Sequence, residues 1–418
     1  MRTHHFVVGV LVFSVFSLSS SRVLAQDAPS PANDSNNVDE IRRDSRIHVG
    51  PFYVTPTVLL KNIGVDTNVF NQSLNQKSDF TFTLAPQAMI AVPFAHRGLL
   101  KTTVGSDLVY YATYDSERSL DPFVRARGEA YARRLTFFAD ESYVNTRQRP
   151  NYEIDIRSRH LENDAQAGID LRLTSRLSFE IAGRRAITEY DADAIFDGTS
   201  LQQTLNRTTT GGVGTLRFRA TPLTTFGVKG DSLRDEFAYS PERNSRSFRV
   251  MPGVEFKPRA LVSGYAWVGY REFTPEQPAI LPRFSGLVAD LGLSYTLLGS
   301  TTFGVSYRRD LTYSYEVDYP FFVDNSVGAS IRRALGGRID AIASVDRHVY
   351  DYEALLALAA ADPARIDTTW VYGANLGYRL KQHTRIGFGV NYYQRESTTV
   401  RLVQYDGLRY GVTVNYGF

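Results

Sequence analysis

The last eleven residues, Leu408–Phe418, constrain the fold more than any other stretch of the chain. Apolar residues alternate strictly with small or polar residues here, and the stretch ends on an aromatic side chain. This alternation predicts a β-strand with one apolar and one polar face. A strand with a small, polar inner face at the end of a chain indicates the closing strand of a membrane β-barrel.

The first 25 residues have the pattern of a secretory signal peptide. Arg2 precedes the apolar run 6–18, and a cleavage site that ends in Ala25 lies before Gln26. The run is too short to cross a bilayer as a helix, which takes roughly 20 apolar residues. We therefore expect a secreted protein whose mature chain begins at Gln26.

Residues 26–50 are rich in Pro, Asn, Ser and Asp and poor in apolar side chains. Such a segment buries too little apolar surface to offset the entropy of ordering, so a disordered periplasmic segment is predicted. No later stretch is apolar enough for a transmembrane helix, which leaves a barrel over residues 51–418 as the only membrane-spanning option. The expected location is the outer membrane of a Gram-negative bacterium.

Composition supports a barrel and excludes other classes. The chain has 25 Tyr and 25 Phe against 2 Trp, and aromatic girdles at the membrane interfaces would use such side chains. The net charge of +3 is too small and too dispersed to indicate nucleic acid. With no Cys, a disulfide framework and cysteine metal sites are excluded.

From Pro51 onward, alternating segments of similar length predict an all-β, antiparallel up-and-down transmembrane barrel of about 18 strands, with 16 as the alternative. The connections between these segments alternate between tight turns and longer polar loops. Membrane barrels show the same alternation of short periplasmic turns and long external loops. An even strand count also puts both termini on the periplasmic side. The predicted spans are 53–69, 78–93, 98–114, 122–133, 135–146, 159–173, 176–190, 206–219, 223–236, 246–257, 260–273, 284–297, 300–315, 322–334, 337–350, 367–380, 383–396 and 404–418.

If the apolar phase of each strand faces lipid, the other phase lines a wet lumen, because Arg or Lys near the midplane of the lipid face costs roughly 2–4 kcal/mol. The basic excess among these charges favours a mild preference for anions, or else the charges form a solvated lattice without selectivity. The candidate lumen-facing residues are Lys101, Arg125, Arg127, Asp170, Arg172, Glu180, Arg217, Arg219, Asp290, Arg308, Asp340, Arg379 and Arg409.

The first predicted strand ends in the motif Gly64-Val65-Asp66-Thr67-Asn68-Val69-Phe70, and Ser78-Asp79-Phe80-Thr81-Phe82 follows a polar break. With the repeated two-strand units and the Tyr-Gly-Phe end, this opening resembles the outer-membrane β-barrel porins of the second type. Some members of that family are encoded with exopolysaccharide biosynthesis and export genes. The resemblance implies an outer-membrane barrel and a link to surface polysaccharide, and it supplies no catalytic residues.

Three further stretches contain residue types that could carry chemistry. His348 lies close to Asp346, yet no nucleophile is placed beside them and no Gly-x-Ser-x-Gly elbow exists, so an enzyme is not expected. The loop 189–198 carries four carboxylates that either bind calcium or form a solvated acidic loop. Residues 352–361 are strong helix formers before Pro363, which predicts a short helix packed in the barrel mouth or on neighbouring loops.

The sequence thus predicts a porin-like channel for hydrophilic solutes, with exopolysaccharide export as a possible link. The competing hypothesis is a scaffold barrel that is closed by its loops and docks a secretion or polysaccharide-export complex. No cofactor and no metal is expected. Expected partners are outer-membrane lipid and lipopolysaccharide, surface polysaccharide or export proteins, and the barrel-assembly machinery, which would read Phe418 as an assembly signal.

Overall fold

The computed structural model describes residues 41, 45–94, 97–258, 261–358, 365–381, 384–399 and 403–417. The helices are the single α-helical turn Leu201–Leu205 (α1) and the 3-10 turns Asp115–Glu117 and Pro241–Arg243. The strands are Ile47–Val49 (β1), Phe52–Asp66 (β2), Asp79–Phe94 (β3), Gly98–Tyr111 (β4), Ser119–Ala132 (β5), Leu135–Thr146 (β6), His160–Arg172 (β7), Leu177–Tyr190 (β8), Ile195–Phe196 (β9), Thr199–Ser200 (β10), Arg207–Arg219 (β11), Thr224–Phe237 (β12), Ser245–Phe256 (β13), Val262–Pro275 (β14), Phe284–Leu297 (β15), Thr301–Tyr313 (β16), Phe321–Leu335 (β17), Ile339–Glu353 (β18), Ile366–Lys381 (β19), Thr384–Ser397 (β20) and Tyr405–Gly417 (β21).

Eighteen long strands close into one antiparallel barrel. Each pairs with the next along the chain, and β2 pairs with β21, so the ring has no free edge. Within the described residues no helix is long and apolar enough to span a membrane. The prediction of an up-and-down barrel of eighteen strands is confirmed, and the alternative of sixteen is wrong. Every predicted strand end lies within three residues of the observed one.

The connections differ in length at the two ends of the barrel. Tight turns follow β3, β5, β7, β11, β13, β15, β17 and β19, and the longer loops follow the strands between them. Left-handed backbone at Arg133, Leu298 and Gly299 shortens two of these turns. We refer to the two ends as the tight-turn end and the loop end.

The prolines and the bulge depart from what the sequence predicts. Pro86 and Pro252 lie inside strands, where the missing N–H predicts a bulge or a shifted strand end. The ladders β3–β4 and β13–β14 instead skip two pairs at these points and keep their register. A proline lacks one N–H, which removes a bond to one neighbouring strand without inserting a residue. Pro56 likewise stays in register with Ala88. The bulge lies instead at Asn62, where φ is 58° and both ladders of β2 shift.

The start of the described chain is more ordered than the predicted disordered segment 26–50. β1 pairs with the beginning of β2, from Ile47 opposite Val54 to Val49 opposite Phe52. Before it, Ile41 is 5% exposed and packs among Tyr53, Ala91, Leu99 and Tyr131. One apolar side chain is therefore held by the barrel wall, which a composition argument about the segment's own core does not consider. The predicted signal peptide 1–25 lies outside the described residues.

Side chains on the two faces of the wall differ in chemistry. Large apolar residues on one phase are open to the surroundings, for example Phe218, Val268, Leu287, Val305 and Phe388. The neighbouring phase carries the charged residues described below. Successive side chains of a strand point to opposite faces of the sheet, so adjacent residues lie on different faces of the wall.

Val305 and Ser306, adjacent on β16, test this assignment of faces. Val305 is 50% exposed on the apolar face and Ser306 lies on the charged face. We expect Val305→Arg to lower the free energy of unfolding from vesicles by about 2 kcal/mol, because it puts a guanidinium in hydrocarbon. Ser306→Arg is the matched control and should unfold at nearly the wild-type urea concentration. The heat-dependent shift in gel mobility reports how much of each variant is folded. If both variants lose the same free energy of unfolding, the faces are assigned wrongly.

Candidate pore and its mouth

Side chains on the charged face meet in transverse rows that cross many strands. One row runs Arg217, Gly227, Gly253, Trp267 and Asp290, each paired in register with the next across β11 to β15. The indole of Trp267 lies against both glycines, where an added Cβ would meet it at 2.9 Å and 2.3 Å. Lys229 covers the ring, with Nζ 3.9 Å from its centroid. The register therefore builds one continuous polar face.

All thirteen candidate lumen-facing residues lie on this face by register. They are spread around the ring and do not gather in one cluster. Arg127 bonds Asp140 and Glu129, Arg217 bonds Glu180 at 2.9 Å, and Arg409 bonds Asp66 at 2.8 Å. Asp340 pairs with Arg385. That the face lines a water-filled lumen stays a prediction, and Phe418 lies outside the described residues.

The sequence analysis missed charged residues near the loop end of the strands. These residues alternate with apolar neighbours in the sequence. The long polar loops beside them, however, made it difficult to predict where each strand begins. Several acidic ones form ion pairs, such as Asp164 with Arg184 and Asp231 with Arg249. Nine of the missed residues named below are acidic and three are basic, which cancels the excess of five basic residues among the thirteen candidates. The missed residues include Lys61, Asp66, Asp79, Asp121, Asp140, Asp164, Arg184, Asp231, Asp235, Arg271, Asp324 and Asp367.

The loop between β6 and β7, residues 147–159, crosses the barrel at the loop end, and we call it the crossing loop. At its base, the Arg147 N–H donates to Asp121 on β5 at 3.1 Å. At its tip, the ring of Tyr152 packs on His348 of β18 with centroids 4.5 Å apart. In the ring, β18 lies eight strands from β6, which is nearly opposite. The loop therefore extends over the polar face from one wall to the other.

Ion pairs hold the tip of the crossing loop against β19, β20 and β21. Asp155 binds Arg395 and accepts the hydroxyl of Tyr405 at 3.0 Å. Arg395 also donates to Asp367 at 2.8 Å, and Arg365 binds the same carboxylate at 2.9 Å. Burial raises the pKa of Asp155, although its cationic neighbours oppose this. Arg365 also binds Glu316 at 2.8 Å. Two arginines thus share three acidic partners in a buried network, which fixes the loop tip in position.

Glu153 is the least satisfied member of this network. Its side chain is fully buried, one carboxylate oxygen accepts the hydroxyl of Ser314, and the other has no hydrogen-bond partner. Burial raises the pKa of Glu153 to about 7, against the opposing effects of Ser314, Arg365 and Arg395. Its titration is therefore shifted from acidic toward neutral pH.

The tip of the β16–β17 hairpin, residues 310–323, covers a second part of the mouth. β16 pairs with β15 only as far as Arg309 but with β17 as far as Tyr313, so the tip leaves the wall. The Tyr313 hydroxyl reaches Asp235 on β12 at 2.8 Å. Arg243 anchors the tip by donating to the carbonyl oxygens of Ser314, Glu316 and Pro320. The bond from Ser314 to Glu153 joins the tip to the crossing loop.

The predicted helix at 352–361 is wrong where it can be compared. Tyr352 and Glu353 extend β18 opposite Phe322 and Phe321, and residues 356–358 form a turn. Cross-strand pairing of the aromatic rings outweighs the helix propensity of the segment. Leu355 and Leu356 donate to carbonyls of Asp318 and Ile280, so this part packs on neighbouring loops. Residues 359–361 lie outside the described range.

The acidic loop 189–198 has a structural role for its Asp-Gly pair. Asp197 and Gly198, with φ of 46° and 77°, form the tight turn between β9 and β10. Among the described residues no group of three or more His, Cys, Asp or Glu side chains could hold a metal ion. Asp191, Asp193 and Asp197 are exposed, as the solvated-loop alternative predicts.

A serine that sequence reasoning missed lies beside His348. Ser326 Oγ is 2.7 Å from His348 Nδ1 and donates to Asp324. Because its one proton goes to the carboxylate, the imidazole is a donor to the serine and cannot take that proton as a base. In a serine hydrolase the histidine lies between serine and acid, whereas here the serine lies between them. The arrangement does not activate a nucleophile.

Comparisons with known proteins agree with this geometry. The sequence profile of the family described as Putative beta-barrel porin 2 matches residues 45–418. No curated protein sequence matches the chain. A BenF-like porin from Pseudomonas fluorescens Pf-5 is similar in structure, with a TM-score of 0.52 at 11% identity over 87% of this chain and 98% of that chain. OccAB4 from Acinetobacter baumannii gives 0.48 at 12% identity over 87% and 98%. OpdO from Pseudomonas aeruginosa gives 0.48 at 10% over 87% and 97%.

We expect the docking of the crossing loop to depend on pH through Glu153, whose buried carboxylate has one oxygen without a hydrogen-bond partner. Its pKa in the docked loop lies above the ordinary 4.5, so protonation stabilises docking. This stabilisation is complete below the ordinary value and is lost as the pH rises through about 7. We expect trypsin cleavage at Arg149 and Arg157 to be slow at pH 6 and several-fold faster at pH 8.

Glu153→Gln should remain docked at both pH values and remove the difference, because the amide carries no charge. His160 and His348 also contact the crossing loop, through Ser158 and Tyr152. His160→Gln and His348→Gln are therefore the controls and should keep the pH dependence. If it persists in Glu153→Gln and disappears in a histidine variant, the titrating group is an imidazole.

Proposed function

Because the chain belongs to the Putative beta-barrel porin 2 family, we propose that it is a channel for hydrophilic solutes whose external mouth is narrowed by the crossing loop. The family and the closed barrel make it a porin-like outer-membrane protein. No catalytic arrangement among the described residues calls for an enzyme.

The observation that carries the proposal is that charged side chains are spread around one face of a closed eighteen-strand wall. Strands about 4.8 Å apart and tilted by about 40° give a backbone diameter of about 36 Å, which side chains of one layer cannot fill. Barrels of 16–18 strands leave an aqueous channel. Water inside would solvate the charged face, while the apolar face meets lipid.

The crossing loop sets the size limit in this proposal. It reaches the wall nearly opposite its own strands, and its buried residues Glu153 and Ile154 are 0% and 1% exposed. Solutes must pass beside it or displace it. Small sugars and organic ions fit such a restricted path. Passage of an extended surface polysaccharide, to which the resemblance of the opening motif points, would require the loop tip to undock.

The competing scaffold hypothesis has an observation in its favour as well. The crossing loop and the β16–β17 tip bury their contact surfaces as a protein core does, with Ile154 packed among Tyr190, Leu201, Leu205 and Tyr315. A mouth sealed in this way would suit a barrel that docks an export complex. The two functions differ in whether ions cross the wild-type protein at all.

Loop replacement separates the two functions. Replacing residues 148–158 by a Gly/Ser linker of equal length removes the ion pairs and the apolar contacts of the tip while keeping the chain connected. We expect single-channel conductance to rise several-fold and larger sugars to enter in liposome swelling, because conductance follows the narrowest cross-section.

The control replaces the exposed residues 73–76 of the β2–β3 loop by the same linker and should leave conductance unchanged. Measurable current through the wild type is required by the channel proposal. A wild type without current, with current appearing only after replacement of 148–158, would favour the sealed scaffold. No current in any correctly folded variant would contradict passage.

A further inference from the structure

The tight-turn end of the barrel is strongly basic. Among the turn residues that the structure describes there is no Asp or Glu. Most of the basic ones are exposed, and the set is Arg97, Arg133, Arg134, Arg176, Lys257 and Arg338. The charge is far from evenly spread, because the whole chain has a net charge of only +3. This rim is therefore a positively charged surface that faces the periplasm, if the short turns lie there as in other barrels.

The positive surface continues from the rim onto the polar face of the wall. Inward positions near this end include Arg172, Arg219, Arg332, Arg379 and Arg385, together with the acidic residues Asp340 and Glu255. Inward positions near the opposite end include Asp66, Asp79, Asp121, Asp235 and Asp367, of which Asp66 and Asp367 pair with arginines. A flexible acidic chain would be attracted to the basic tight-turn rim.

Such a chain begins at this mouth. Ile41 is buried against Tyr53, Ala91, Leu99 and Tyr131, which share the inward phase of Lys101 at the tight-turn end. The segment before it, residues 26–40, carries Asp27, Asp34, Asp39 and Glu40 and no Lys or Arg. Its attachment point is therefore inside the rim of basic residues and not outside the barrel.

We propose that the acidic segment 26–40 docks across the basic tight-turn mouth of its own barrel, anchored by Ile41. Fifteen residues reach up to about 50 Å when extended, which exceeds the backbone diameter of about 36 Å. Because the segment is tethered at the mouth, its effective concentration there is in the millimolar range, so weak ion pairs are sufficient. Docking weakens in high salt, where exposed charges are screened.

A distance measurement tests the docking without reference to transport. The chain has no Cys, so Ser35→Cys and Ser175→Cys provide the only two sites for spin labels, one in the segment and one on a tight turn. We expect a narrow distance distribution in low salt that broadens in 1 M salt. The matched control, in which Asp27, Asp34 and Asp39 become Asn and Glu40 becomes Gln, should be broad in both. Identical distributions for the two proteins would overturn the proposal.

A binding measurement identifies the surface. A synthetic peptide of residues 26–41 should bind a barrel that lacks residues 26–41, and the triple change Arg97→Glu, Arg133→Glu and Arg134→Glu should weaken binding at least ~10-fold by charge repulsion. Arg234→Glu, on the outer face near the loop end, is the control and should bind as before. Equal binding to the triple variant would place the peptide elsewhere and overturn the proposal.

Another occupant of the basic mouth would be anionic lipid. If the narrow distribution in uncharged vesicles broadens when phosphatidylglycerol is added, the rim binds lipid headgroups in preference to the segment, and the proposal is wrong. The current through the wild type and the charge-neutral variant gives a separate readout that rests on the proposed channel. If neither the wild type nor the charge-neutral variant carries current, the channel proposal is contradicted. The distances between the spin labels still test whether the segment docks.

Discussion

The structure depends on the requirement that every backbone hydrogen bond be made within the protein where no water is available. A row of strands in lipid meets this requirement only when the last strand pairs with the first, as β21 does with β2. Residues that pair across neighbouring strands point to the same side of the sheet. Once the ring is closed, the inward and outward positions of every strand are therefore fixed together. Most charged side chains therefore share one face of the wall, and most large apolar side chains share the other.

The sequence predicts those parts of the fold that follow from strand period. Strand number, strand ends and the common face of residues such as Arg127, Arg217 and Asp340 were all readable, because alternation is a local signal. What escaped prediction depends on contacts between distant segments. Pairing opposite Phe322 draws Tyr352 into β18 despite its helix-forming neighbours, and Tyr53 with Tyr131 buries Ile41 from a polar segment. The bulge at Asn62 and the path of the crossing loop likewise have no periodic signature.

The crossing loop is held in a different way from the barrel wall. Its tip is fixed mainly by the ion pairs among Asp155, Arg395, Asp367 and Arg365. The free energy lost by removing these charges from water offsets much of the attraction between them. Such a contact is specific in geometry and modest in net stability. It can therefore be released by a small change, such as the ionisation of Glu153, without disturbing the ladder below. The wall is thus stabilised by backbone hydrogen bonds, whereas the loop tip is held by a few ion pairs that can be released separately.

The seam between β2 and β21 also has a consequence for biosynthesis. Val58 pairs with Tyr416, so residues from opposite ends of the chain must meet before the ring is complete. Loop closure over that distance is slow, and two unpaired strand edges stay exposed until it happens. The chain must be shielded from aggregation for as long as translation and export take to deliver β21. Selection on this protein therefore acts on an unfinished intermediate as well as on the finished barrel.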